Sequence, residues 1–183
     1  MLEQLHFGGL TGEIEFILPG DLQTVTAQCQ ALRNEDRVLG FDTESKPVFQ
    51  RGQKANPICL VQLASRTRAC LFRLEGGHVP LPLRLLLEDD AVLKVGINVQ
   101  KELVQLGLKA RSGVELRPLA QSTGCRALSL QGCAAAFLGI RVAKGQATSN
   151  WEAANLSQAR VDTLRQTRGC AGRAMNSASQ GQT

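Results

Sequence analysis

The chain has 183 residues, 43% of them hydrophobic and 20% charged, with a net charge of +5. That length suits one domain with a sizeable core, and the balance excludes a disordered polyelectrolyte. No stretch approaches the ~20 apolar residues of a membrane span, and Met1-Leu2-Glu3-Gln4 lacks the basic and apolar regions of a secretory signal.

In chain order, Glu13 to Leu18 reads as a short strand, and Asp21 can cap a helix to about Asn34, with Leu22, Val25, Cys29 and Leu32 at helical spacing. Val38 to Phe41 is a buried strand, and Lys46 to Pro57 is a loop rich in Pro, Gly and Lys. Ile58 to Leu63 and Ala69 to Phe72 form a hairpin. Leu81 to Leu87 starts a short helix, Ala91 to Val95 is a strand closed by Gly96, and Asn98 to Leu106 is a helix with Val99, Leu103 and Leu106 on one face. After Val114-Glu115-Leu116, Ser129 caps a helix through Phe137 that Gly139 ends. Leu156 to Met175 reads as a last helix, and the small polar tail 176–183 is expected to be disordered. Strands that meander and then alternate with helices predict an α/β fold: one domain over residues 1–175, with a mixed sheet flanked by helices.

The six cysteines (Cys29, Cys59, Cys70, Cys125, Cys133, Cys170) contain no Cys-x-x-Cys pair. Reduced thiols in a cytoplasmic protein are expected, not disulfides or zinc ligands. His6 and His78 are isolated, which disfavours a histidine-based metal or base.

The chemistry is concentrated in Asp42-Thr43-Glu44, at the end of Val38-Leu39-Gly40-Phe41. Side chains alternate along a strand, so the two carboxylates share one face. A hard divalent cation beside a phosphate needs such a cluster of oxygens. A strand running into a polar turn is the competing reading of this tripeptide alone.

Several separated motifs carry a resemblance. Val38-Leu-Gly-Phe-Asp42-Thr-Glu44-Ser-Lys-Pro, then Pro57-Ile-Cys-Leu-Val-Gln-Leu-Ala, resembles the opening of a DEDD-superfamily 3'-5' exonuclease domain of the Werner and ribonuclease D type. Lys94-Val95-Gly96 and its helix resemble the second motif, and Ser149-Asn150-Trp151 with Leu156-Ser157-Gln158 resemble the approach to the third. The similarity runs from about Gly12 to Met175. It implies a ribonuclease H-like fold and four acids holding two ions, Mg²⁺ or Mn²⁺, at the 3' end of a single strand of DNA or RNA. On that basis Asp42, Glu44 and Glu102 are the expected catalytic and metal-holding residues.

The carry-over departs from the family twice. Glu102 stands where the family has Asp, which moves the carboxylate by ~1.5 Å, one carbon–carbon bond. Its alternative role is a solvated helix carboxylate beside Lys101. In the third motif, counting forward from Leu156-Ser157 places the family's Tyr and Asp on Thr163 and Thr167; counting back from Ala171-Gly172-Arg173-Ala174-Met175 places the Asp on Arg168. Neither count meets a carboxylate, and the chain has no Tyr. The mismatch is confined to Thr163–Cys170, as a shifted reading frame or divergence after loss of catalysis would leave it. The expectation is an exonuclease impaired at its third motif, the alternative a catalytically inactive nucleic-acid-binding module. Lys46, Arg51 and Lys54 could contact phosphates, and Trp151 is expected to be a packing anchor.

Overall fold

The computed structural model describes residues 6–7, 13–48, 52–126, 128–138 and 140–141. In chain order the elements are β1 (His6–Phe7), β2 (Glu13–Ile17), α1 (Leu22–Glu35), β3 (Val38–Ser45), β4 (Ile58–Ala64), β5 (Arg68–Arg73), α2 (Leu81–Glu88), β6 (Leu93–Gly96), α3 (Val99–Gln105), β7 (Gly113–Glu115), α4 (Leu116–Ser122), α5 (Leu130–Leu138) and β8 (Ile140–Arg141). Six strands form one sheet in the order β2-β5-β4-β3-β6-β7, and β1 pairs with β8 in parallel in a separate two-stranded sheet. The large sheet is mixed: β3-β4-β5 is antiparallel, while β2 joins β5, and β6 and β7 follow β3, in parallel.

Local chemistry sets the helices. The Asp21 carboxylate accepts from Thr24 N–H at 3.0 Å and caps α1, satisfying one of the orphan amides at a helix start. Val25, Cys29 and Leu32 then face the core. Leu22, which shares their spacing, is 56% exposed because it stands in the first turn, beyond the sheet's cover. Pro80 precedes α2, whose buried side chains are Leu83, Leu86 and Leu87. Ser129 Oγ accepts from Gly132 N–H at 3.1 Å and its carbonyl from Cys133 N–H at 2.8 Å, so the expected cap opens α5.

The core lies between one face of the sheet and the helices α1, α2 and α3. Leu39, Phe41, Val61, Leu63, Cys70 and Phe72 from the strands meet Leu32, Leu83, Leu87, Val99 and Leu103 from the helices. Burying each large side chain contributes ~1.5–3 kcal/mol. A smaller cluster of Cys59, Leu60 and Leu71, with Ile14 and Phe16 against it, is separate from this core. Cys29 and Cys70 are buried free thiols. Burial pushes the thiols of Cys29 and Cys70 up to about 12, far from a reactive range.

The structure differs from the sequence reading at the pair β1 and β8, which was not expected, and in three further places. β3 runs on through Ser45, so the acidic pair lies inside the strand; hydrogen bonding to β4 holds Asp-Thr-Glu-Ser extended despite its polarity. Ala91 and Val92 belong to the turn before β6, whose strand begins at Leu93. α4 was not expected, since Arg117-Pro118 interrupts any apolar period, yet Pro is tolerated in a first helical turn. The expected helix from Leu156 and the tail 176–183 lie outside the described residues. No helix among the described residues is long and apolar enough to cross a membrane.

Candidate active site

The site gathers at the end of β3. β6 pairs with β3 only from Val38 to Gly40, so the acidic stretch projects beyond it. On the other side β4 pairs with β3 from Gly40 to Ser45: Asp42 lies opposite Gln62 and Glu44 opposite Leu60. Alternation puts Asp42 and Glu44 on the face away from the Phe41 core. Asp42 Oδ1 accepts from Thr43 N–H at 3.0 Å. Gln62 Nε2 donates to Glu44 Oε1 at 3.2 Å, and Cys59 Sγ donates to the Glu44 carbonyl at 3.4 Å. Gln62 is completely buried, and its own Oε1 has no hydrogen-bond partner among the described residues.

Glu102 arrives from the helix side. Val99 and Leu103 seat α3 in the core, and Gly96 admits the helix to the strand end. A Cβ at Gly96 would overlap the carbonyl oxygen of Phe41, the residue before Asp42. The Thr43 hydroxyl donates to the Glu102 carboxylate, and the charges of Asp42, Glu44 and Glu115 all act on it. Burial first, then the Asp42 charge, push this carboxyl up to about 8. Its Oε2 is buried without a hydrogen-bond partner among the described residues. Lys101, its sequence neighbour, is exposed.

Of the three expected site residues, Asp42 and Glu44 share one face of β3, and Glu102 comes from α3 near enough for their charges to act on it. The tertiary structure adds Thr43, Gln62 and Glu115. Gln62 carried a signal, being the only polar residue in the apolar run Ile58–Ala64. Glu115 carried one too, as a lone acid between Val114 and Leu116, but nothing in the local pattern tied it to Asn98. The positions counted for the third motif, Thr163, Thr167 and Arg168, lie outside the described residues, as does Trp151. In the loop after β3, Lys46 and Lys54 are exposed, and Asn56 Nδ2 donates to the Lys46 carbonyl at 2.9 Å. Arg51 lies outside the described residues.

A buried acceptor without a donor among the described residues, beside three further carboxylates, is short of positive charge. Oxygen donors of this kind suit a hard dication, whose charge would favour the ionised form of Glu102. Among the described residues, no three His, Cys, Asp or Glu side chains already stand arranged to hold a metal ion. The donor set fits such an ion in chemistry; its arrangement is not closed.

A mixed sheet of this order, with acids in the last residues of its central strand, defines a ribonuclease H-like fold. The catalytic core of RRP6 from Trypanosoma brucei superposes with a TM-score of 0.78 at 16% identity, over 96% of this chain and 49% of that one. NrnC from Brucella melitensis, bound to pGG, gives a TM-score of 0.69 at 17% identity, over 93% of this chain and 81% of that one. In sequence, the profile of the 3'-5' exonuclease family matches residues 17–168. The chain belongs to that family. It is similar to "Exonuclease 3'-5' domain-containing protein 2" of Mus musculus, 35% identical over 188 residues, and to the protein of the same name in Drosophila melanogaster, 34% identical over 169 residues. These alignments cover 87% and 85% of this chain and 28% of each relative's length.

Proposed function

We propose that this chain is a metal-dependent 3'-5' exonuclease that hydrolyses phosphodiester bonds from the 3' end of single-stranded nucleic acid, with Asp42, Glu44 and Glu102 holding Mg²⁺ or Mn²⁺. The observation that carries the reading is the Glu102 carboxyl: half-buried, raised to about 8 by burial and the charges of Asp42 and Glu44, with one oxygen that has no hydrogen-bond partner among the described residues. Divalent ions bound there would supply charge neutralisation at the scissile phosphate and acidify the attacking water. Each side chain has its own part. Gln62 orients Glu44 through its amide N–H, and the Asp42 oxygen that accepts from Thr43 N–H is fixed by it. The Thr43 hydroxyl orients Glu102. Lys46 and Lys54, in the loop after β3, would meet the phosphate backbone, where cationic contacts add affinity without sequence preference. The buried free thiols of Cys29 and Cys70 suit a reducing compartment such as the cytoplasm.

The test is release of a 3'-labelled nucleotide from a single strand with Mg²⁺ or Mn²⁺, comparing the chain with Asp42→Ala. The exonuclease reading expects release from the chain and at least ~100-fold less from the variant. A second reading, a binding module without catalysis, is favoured by Thr163, Thr167 and Arg168 at the third-motif positions. Tight binding with equal, near-zero release from both proteins would establish it. Restored cleavage in Thr163→Tyr with Thr167→Asp would identify the lesion that separates the two readings.

A further inference from the structure

We propose that Glu115 is a positioning residue of this site: its carboxylate pins the turn that opens α3, and thereby sets where the Glu102 oxygens stand relative to Asp42 and Glu44. The inference rests on the exonuclease reading, in which Glu102 holds metal. Glu115 Oε2 accepts from Asn98 N–H at 2.9 Å, and Oε1 from Gln100 N–H at 3.2 Å. Both oxygens of one carboxylate are thus spent on the entrance of a single helix, in charge-assisted bonds about twice as strong as neutral ones. The helix has no cap of its own. Asn98 stands at its N-cap in the left-handed region, φ 62°, and makes no capping hydrogen bond. Its Oδ1 accepts instead from Arg117 Nη1 at 3.1 Å.

The anchor is part of the sheet. Glu115 ends β7 in register with Gly96 of β6, and Gly96 abuts the Phe41 carbonyl. The first turn of α3 is therefore located against β3 from two directions. Glu102 lies one turn further on, its N–H donating to the Asn98 carbonyl at 3.1 Å. A shift of the pinned turn passes directly to the Glu102 carboxylate. Partners of this kind, behind a metal-holding group, typically change metal affinity by ~10–100-fold when removed.

An ordinary helix cap would only affect stability, so the control is another cap. Asp21→Ala removes the cap of α1, which lies outside the acidic site. Mn²⁺ binding is measured by calorimetry on the full chain, Glu115→Ala, Glu115→Gln and Asp21→Ala, with amide hydrogen exchange followed at Gln100, Glu102 and Leu103. The expected result is a Mn²⁺ dissociation constant raised ~10–100-fold by Glu115→Ala, with faster exchange at those three amides. Glu115→Gln, which keeps one acceptor oxygen, should fall between, and Asp21→Ala should match the unaltered chain. If Glu115→Ala does not fold, Glu115→Gln carries the comparison. Affinity equal to that of the unaltered chain in both Glu115 variants would overturn the positioning role and leave the exonuclease reading standing. Absence of Mn²⁺ binding in the unaltered chain would overturn both.

Discussion

Gly96 sits against the carbonyl oxygen of Phe41 so closely that a single methyl group would overlap it. The contact joins the end of β6 to the residue preceding Asp42, and it involves backbone, which cannot swing aside. Gly96→Ala is therefore expected to cost about 1–3 kcal/mol, the range for forcing an extra methyl into a packed core. The same shift should move α3 and weaken divalent-ion binding. Thermal melting and Mn²⁺ calorimetry on one preparation check both; an unchanged melting temperature would mean that the strands separate freely here.

Glu102 gives a pH dependence whose sign is opposite to that of a salt-bridged carboxylate. It titrates near 4.5 when unfolded and at about 8 when folded. Between those values the unfolded chain binds fewer protons, so stability falls as pH rises and the loss is complete above about pH 8. Glu102→Gln is expected to leave stability unchanged at pH 4 and raise it at pH 9 by on the order of 2 kcal/mol, because solvent partly screens this half-buried carboxyl. Mg²⁺ should restore stability to the unaltered chain at pH 9 and do little for the variant. Melting curves across that range decide the matter, and a variant less stable at pH 9 would contradict it.

Gln62→Leu should separate stability from activity. The substitution removes a buried Oε1 that has no partner among the described residues and places an apolar side chain on a strand buried along its whole length. Stability should hold within about 1 kcal/mol or rise, since an orphaned acceptor carries a desolvation penalty. Glu44 would lose the amide that orients it, so 3'-nucleotide release should fall by ~10-fold or more. Parallel denaturation and release assays test this. A variant that keeps full activity would show that Glu44 needs no such support.

Lys94 is the one completely buried basic side chain among the described residues. Its ammonium donates to the Asp89 carbonyl at 2.9 Å, the Val92 carbonyl at 2.7 Å and the Ser112 hydroxyl, tying the start of β6 to the turn before it and to the segment leading into β7. Burial pushes the ammonium down to about 8, with Asp89 and Asp90 acting against that shift. Lys94→Met keeps much of the volume and removes all three donors, and should cost about 2–3 kcal/mol. That corresponds to a melting temperature lower by roughly 4–12 °C for a chain of this size. A smaller drop would mean that neighbouring groups replace the lost bonds.

The elements easiest to see in the sequence were those whose pattern is local. The spacing of Val25, Cys29 and Leu32 and the cap at Asp21 define α1, and Val99, Leu103 and Leu106 define α3. The uninterrupted run Ile58–Ala64 reads as a buried strand because it is one. The two-residue strands His6–Phe7 and Ile140–Arg141 left no such trace, since their pairing joins segments more than 130 residues apart. β3 looked shorter than it is because its last residues are polar, and their extended form comes from β4.

For the site, the sequence by itself supplied the acids and their order. Asp42 and Glu44 fall on one face by strand periodicity, and Glu102 follows Gly96 at the family's spacing. Only the tertiary structure decided what surrounds them: Gln62 beneath Glu44, Thr43 on Glu102, and Glu115 across the entrance of α3. Periodicity fixes the face on which a side chain lies, because it depends on neighbours along the chain. Which distant group meets that face depends on strand register and helix docking, and these exist only once the core has formed.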